Sequence, residues 1–243
     1  MSDKIKSFTL FSLLIFLLST ALTAQKLQGL DLRKLSEFND YISSEVESGR
    51  IAGAEFLVAR NDTVVMHNAV GFADLSTKKR LAKNSIYFIQ SMTKPIISVA
   101  IMQLYERGLI DLNDEVAQYI PEVEQVRVAI NVYGGLKGPT VEKKNPITIA
   151  QLLTHTAGLS HGLENHALDK AISRLIYGTD FNYRLHPTVE SRTASLLTAP
   201  LINQPGEKWS YSAATDLLAV ILKKVSQQEV NVYLKKNIFD PLG

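Results

Sequence analysis

Ser91-Met92-Thr93-Lys94-Pro95-Ile96-Ile97-Ser98-Val99-Ala100-Ile101-Met102-Gln103-Leu104-Tyr105-Glu106-Arg107 is the strongest helical stretch of the 243-residue chain. Ile96, Val99, Ala100, Gln103 and Leu104 make a nearly continuous face, and Gly108 stands where a helix would stop. Most other positions are also apolar, which predicts a helix running through a core rather than over a surface. Ser91 and Lys94 are three positions apart at its start, so hydroxyl and amine share a face and can meet. Serine alone is a weak nucleophile and needs a base. A lysine desolvated in a core helix can be that base, and the free N–H groups and dipole of the helix N-terminus favour negative charge developing beside the serine.

The four-residue pattern is cheap, because Ser76-Thr77-Lys78-Lys79 satisfies it as well. That copy lies in a polar segment with no helix to align the pair and reads as a solvated turn. The Ser91 copy has a strand-like lead, Ile86-Tyr87-Phe88-Ile89, and the helix behind it. Gly158-Leu159-Ser160-His161-Gly162 spells a nucleophile elbow, which needs a strand before the serine and a helix after it. Here Thr148 and Gln151, at capping-box spacing, start a helix ahead of it. The residues that follow are polar and irregular, so a loop using two glycines for tight turns is the better account.

Upstream, Leu35, Phe38, Ile42 and Val46 recur at helical spacing before Gly49. Ala54–Ala59 and Thr63–Met66 flank Asn61-Asp62 and read as a hairpin whose second strand runs on through Val70 to Gly71. Downstream, Asn113 can cap a short helix ending before Pro121, and residues 133–145 lack periodicity and read as a loop. Residues 158–183 carry only weak helical signals. Helices are expected around Thr188–Leu197, over Ala213–Val225 and over Val232–Ile238, with a turn at Pro205-Gly206. The class is therefore α/β (α+β), an antiparallel sheet flanked by helices with a mostly helical inserted region over about 113–200. A hairpin alone is too small for a stable sheet, so further strands are expected beyond Gly243, and residues 25–243 read as one C-terminally incomplete domain.

At the amino end Lys4 and Lys6 precede the apolar run Phe8–Leu18 and the small-residue exit Ser19-Thr20-Ala21-Leu22-Thr23-Ala24. This describes a secretory signal peptide over residues 1–24, cleaved after Ala21 or Ala24, with an uncleaved anchor as the alternative. The expected compartment is periplasmic or extracellular, with no membrane span once the signal is removed. With no cysteine there is no disulfide framework, thiol nucleophile or thiolate metal site. A net charge of +2 offers no electrostatic case for nucleic acid.

Three ordered blocks carry a family resemblance. The first runs from Phe88 to Glu122 and contains Ser-Met-Thr-Lys-Pro, Leu-Tyr-Glu-Arg-Gly-Leu-Ile-Asp-Leu-Asn-Asp and Tyr-Ile-Pro-Glu. The second is Ile147–Leu159, with Leu-Leu-Thr-His-Thr-Ala-Gly-Leu, and the third is Gln204–Ser212, running on to Phe239-Asp240-Pro241-Leu242-Gly243. Together they resemble the beta-lactamase-related serine hydrolase family, which includes class C beta-lactamases, D-Ala-D-Ala peptidases and carboxylesterases with a beta-lactamase fold. The resemblance implies acyl transfer through an ester on Ser91, with Lys94 as its partner and Tyr211 shuttling the proton to the leaving group. It implies no metal and no organic cofactor, and a small-molecule or peptide substrate.

Two departures from the pattern stand out. Many relatives carry Asn two residues after the tyrosine; this chain has Ala213, which removes hydrogen bonds a beta-lactam or peptide would use and tilts the reading toward an ester. The family's last motif, on a late strand that lines the site and supplies an oxyanion donor, has no counterpart before Gly243. Losing one such donor removes on the order of 3 kcal/mol of transition-state stabilisation. The competing function is therefore a catalytically silent relative or fragment that binds wall peptides or a protein partner. His155 reads as structural, satisfying carbonyls at the end of a capped helix. His161 and His166, with Glu164 between them, fit no dedicated metal spacing and read as a solvated loop.

Overall fold

The computed structural model describes residues 29–243. The signal-peptide expectation for residues 1–24 lies outside the described residues. The chain divides into two compact units between Phe88 and Ile89.

In the first unit, α1 (Leu32–Glu47) opens on Asp31, whose carboxylate accepts from the Arg33 and Lys34 amides as an N-cap. It leads to β1 (Gly53–Arg60) and β2 (Thr63–Asp74), an antiparallel pair running from Gly53 opposite Gly71 to Arg60 opposite Thr63, with a register shift between Val58 and Ala59. Asn61 and Asp62 both have positive φ, 48° and 56°, which is the backbone a two-residue hairpin turn of matching twist demands. The hairpin is thus the expected one, lengthened at both ends. A short third strand, β3 (Lys79–Arg80), pairs with the end of β2. The helix α1 packs on β2, and its Phe38 lies edge-on to Phe56 of β1 at 5.0 Å between centroids. Residues 86–88, expected to be strand-like, form no strand.

The second unit is mostly helical. A 3-10 turn at Gln90–Met92 precedes α2 (Thr93–Glu106), so the expected helix from Ser91 starts two residues late as an α-helix. Its buried face is Ile97, Ala100, Ile101 and Leu104, one step from the face the sequence suggested; Val99 is exposed and Ile96 half-buried. An almost wholly apolar helix leaves its phase undetermined, since several faces look equally suitable for burial. The expected helix capped by Asn113 is instead a 3-10 turn at Val116–Gln118, and the Asn113 amide donates to Asp111. The expected loop over 133–145 holds a 3-10 segment, Val132–Lys137, and a strand, β5 (Thr140–Val141), paired with β4 (Val128–Ala129).

Thr148 and Gln151 form the capping box in front of α3 (Ile149–Leu153). The region with weak signals contains α4 (Ala167–Tyr177), which His166 caps through its ring nitrogen. A second capping box, Thr188 with Ser191, starts α5 (Val189–Leu196). Helix α6 (Ala214–Ser226) is the hub: Leu217, Leu218, Val220, Ile221 and Leu222 are buried, and it packs against α2, α3 and α5. Asp216 in its first turn and Lys223 and Lys224 in its last complement the helix dipole. Short α7 (Val230–Leu234), a π-turn at Lys235–Phe239 and α8 (Asp240–Leu242) follow, close to the expected Val232–Ile238 helix. The class is the expected mixture of helices and antiparallel sheet. Among the described residues no helix is long and apolar enough to cross a membrane.

Candidate active site

Ser91 sits in the 3-10 turn that feeds α2, so it stays exposed while the helix behind it enters the core. Gln90 before it has φ of 48°, an uncommon backbone for glutamine and one that concentrates at functional sites. Lys94, in the first turn of α2, donates from Nζ to Ser91 Oγ at 3.1 Å. Lys94 is half-buried, at the rim of the core and not within it, because the first buried position of α2 is Ile97.

Tyr211 arrives from the extended segment ahead of α6 and donates its hydroxyl to Ser91 Oγ at 2.6 Å. Lys94 Nζ lies 4.7 Å from the centre of the Tyr211 ring, a cation–π distance. Partial burial pushes the Tyr211 phenol up. Hydrogen bonding with Lys94 and Ser91, and the Lys94 charge, outweigh that and hold it below the ordinary tyrosine value. The structure thus brings together the three residues singled out in the sequence, Ser91, Lys94 and Tyr211. Ser91 Oγ accepts in both contacts, so the serine proton can pass to Tyr211 across the 2.6 Å contact once the phenol has ionised.

The segment carrying Tyr211 is pinned on both sides. The Ser210 amide donates to the His155 carbonyl at 2.9 Å, and Ser212 Oγ lies 2.9 Å from His155 Nδ1. Asn203 Nδ2 donates to Ser210 Oγ, and the Ala213 amide to the Ser160 carbonyl. His155 is therefore a positioning element, as expected, but its ring partner is Ser212 and not a helix-end carbonyl. Ala213 is 3% exposed. Trp209 is 66% exposed beside Tyr211, at 6.5 Å between ring centres.

The loop read as solvated is exposed at residues 163–165 but not at its two histidines. His161 is half-buried and lies flat on Tyr211, with ring centres 5.3 Å apart and planes 19° apart. Its ring nitrogens are 3.0 and 3.1 Å from the Tyr177 hydroxyl. His166 instead caps α4 and faces Glu164 at 3.4 Å, so the two histidines do not converge. Nothing in the spacing of His161 and Tyr177 marked this contact, because it depends on how the loop folds back over α4. The mixed aromatic and polar composition after Gly158 was the one available hint.

The rival serines are accounted for. Ser160 is 3% exposed, donates to the buried Asp169 carboxylate and accepts from the Gly162 amide. Gly158 and Gly162 have φ of 80° and 78°. A Cβ at Gly158 would collide with the Asn203 carbonyl, and one at Gly162 would come within 2.6 Å of the Ser173 backbone nitrogen. The Gly-Xaa-Ser-Xaa-Gly pattern thus records a close-packed loop. Ser76 bonds Asp74 through both its amide and its hydroxyl, in a turn that holds the Asp74 carboxyl at about 2.

Residues 38–243 match the family model described as Beta-lactamase. Esterase EstB of Burkholderia gladioli is 29% identical over 195 residues, covering 80% of this chain and 46% of that protein. Protein flp of Staphylococcus aureus (strain N315) is 27% identical over 207 residues, covering 85% and 36%. Among solved structures, EstCE1, a hydrolase with promiscuous acyltransferase activity, superposes with a TM-score of 0.71 at 30% identity, covering 87% of this chain and 52% of that one. Simvastatin synthase (LovD) from Aspergillus terreus, unliganded, gives 0.67 at 25% identity, covering 84% and 52%. The chain spans about half or less of the length of the curated relatives it matches.

Proposed function

Because the chain belongs to the beta-lactamase family, we propose that it is a serine hydrolase acting through an acyl-enzyme on Ser91, with an ester as its substrate. The observation that carries this reading is the pair of hydrogen bonds converging on Ser91 Oγ, from Lys94 at 3.1 Å and Tyr211 at 2.6 Å. The ester preference is supported by Ala213 in place of a hydrogen-bonding amide, and by the esterase and the acyltransferase-active hydrolase among the similar proteins.

In the first half-reaction Ser91 Oγ attacks the substrate carbonyl carbon as its proton passes to Tyr211 in its ionised form, which the Lys94 charge stabilises. The Ser91 backbone N–H, in the 3-10 turn ahead of α2, helps hold the oxyanion. Collapse expels the alcohol, which takes its proton from Tyr211, and leaves the acyl ester on Ser91. Water, deprotonated by the same pair, then attacks that ester and regenerates the serine hydroxyl.

The test is to incubate the purified protein with a chromogenic short-chain ester and a fluorescent penicillin, alongside Ser91→Ala. Turnover of the ester that vanishes in the variant supports the reading. No acylation by either probe in folded protein overturns it and leaves a binding role. We also propose export, on the strength of the Lys4, Lys6 and Phe8–Leu18 pattern. A secreted product beginning after Ala21 or Ala24 is expected, and retention of an intact N-terminus in the cytoplasm would rule export out.

A further inference from the structure

Among the described residues the Tyr211 ring meets three rings that the proposed chemistry does not use, His155 tilted at 5.1 Å, Trp209 at 6.5 Å and His161, which alone of the three is stacked on it. His161 covers its ring at 5.3 Å, nearly parallel, and is itself held by Tyr177, which projects from the end of α4. Tyr177 is 3% exposed and locked in turn. The Arg192 guanidinium lies 4.7 Å from its ring centre, Phe181 stacks at 5.5 Å, and Arg192 is anchored by a 2.7 Å ion pair to Asp216. A continuous set of packed side chains therefore runs from the α5–α6 ion pair to the phenol that bonds the candidate nucleophile. Such a stack fixes the plane of the Tyr211 ring, and hence where its hydroxyl points.

We propose that His161 is a positioning residue for Tyr211, holding the phenol against Ser91 by its stack and its bond to Tyr177, and releasing it when the imidazole becomes protonated. The inference rests on the reading of Tyr211 as the proton carrier for Ser91.

The charged and titratable groups facing His161 are Lys94 from α2, Tyr177 from α4, Arg192 from α5, Asp216 from α6, and Tyr211. Burial and then the Lys94 charge hold the imidazole below its ordinary value, with Arg192 acting the same way and Asp216 opposing. The ring is thus neutral where Tyr211 must work. When a proton arrives, imidazolium meets Lys94 and Arg192, and Asp216, already paired with Arg192, opposes them. A cation also has both nitrogens as donors, so the Tyr177 hydroxyl can then only accept from the ring and must turn its own hydrogen elsewhere. The stack on Tyr211 shifts with it.

The experiment follows Tyr211 directly. Isotope-labelled tyrosine, with the Tyr211 signal assigned by its loss in Tyr211→Phe, is titrated by NMR together with the histidine rings in the full chain and in His161→Phe. A step in the Tyr211 signal at the pH where His161 titrates, diminished in His161→Phe, is the expected result. His155, 5.1 Å from the same ring, can leave a smaller step of its own, so no step at the His161 titration, or a step of undiminished size in His161→Phe, overturns the proposal.

Ester turnover supplies the second readout. His161→Ala, which deletes the stacking face, is expected to lower kcat about tenfold or more with KM little changed, as misplacement of a proton carrier does. His161→Phe, which keeps a flat ring, is expected to restore most of kcat and to lose the acid-side inflection. Equal kcat in parent and His161→Ala counts against a positioning role. If Ser91-dependent acylation is absent while the NMR step behaves as expected, the hydrolase reading falls and the coupling stands. If acylation is present and the step is absent, the reverse holds.

Discussion

Tyr211 and Ser91, 120 residues apart in sequence, meet through a 2.6 Å hydrogen bond from phenol to serine hydroxyl. That contact exists because His155 grips the residues on either side of Tyr211, through its carbonyl to Ser210 and its ring to Ser212. If the phenol carries the proton between Ser91 and the leaving group, Tyr211→Phe keeps the packing and removes the carrier. The expected result is a loss of about 10²–10⁴ in kcat, the range of general acid–base contributions, with KM nearly unchanged. Steady-state kinetics on a chromogenic ester check this; a large rise in KM at constant kcat would mean the hydroxyl serves binding instead.

Lys94 can act through its charge or by exchanging a proton, and arginine separates the two. Arginine preserves the cation near the Tyr211 ring, but stays protonated and cannot serve as a base. Lys94→Arg and Lys94→Met are both expected to lose about a thousandfold in kcat, within the range for a lost acid–base group. Activity of Lys94→Arg within tenfold of the parent would assign Lys94 a purely electrostatic role.

The glycine-flanked Ser160 offers a control with opposite expectations. Ser160→Ala removes a donor to buried Asp169 and the acceptor of the Gly162 amide. Leaving such groups short of partners costs about 1–3 kcal/mol. Gly158→Ala forces a Cβ against the Asn203 carbonyl at a φ of 80° and should cost about 2 kcal/mol or more. Both variants, measured by denaturant unfolding, should be destabilised yet still acylated on Ser91. A stable Ser160→Ala protein with no acylation would reopen the elbow reading.

The sequence made the hairpin legible because Asn61-Asp62 is a strong local turn signal between β-branched runs. It also showed the start of α3, where a capping box opens the helix, and the extent of α6 to within a residue, from its dense apolar run. Helix α2 was found but misphased, since Val99 and Ile97 look alike to any hydrophobicity argument and only packing against α6 decides between them. Residues 86–88 look strand-like by composition, yet β-branched and aromatic content is a statement about environment and not about backbone. At the site, Ser91, Lys94 and Tyr211 were visible through local spacing and ordered blocks. His161 was not, because its meaning lies in a tertiary stack on Tyr211. A long-range contact between a loop histidine and a loop tyrosine leaves no periodic trace.

The two histidines beside Tyr211 also predict how stability depends on acidity. Burial, then the Lys94 charge, depress both His155 and His161 below 6.5 in the folded protein. As pH falls below 6.5 the unfolded chain takes up protons that the folded chain refuses, so stability present above that pH is progressively lost toward the folded-state values. Glu45, Glu55 and Glu190 are depressed from 4.5 and contribute only at lower pH, so the window between 6.5 and about 5 isolates the histidines. Thermal melts across that window should show a falling Tm, at about 2–4 °C per kcal/mol for a chain of this size. His161→Phe, which cannot titrate and still fills the stack, should show a shallower fall than the parent. Parallel curves for parent and variant would mean that His161 binds its proton equally well folded and unfolded, and that its burial against Tyr211 and Tyr177 does not exclude the charge.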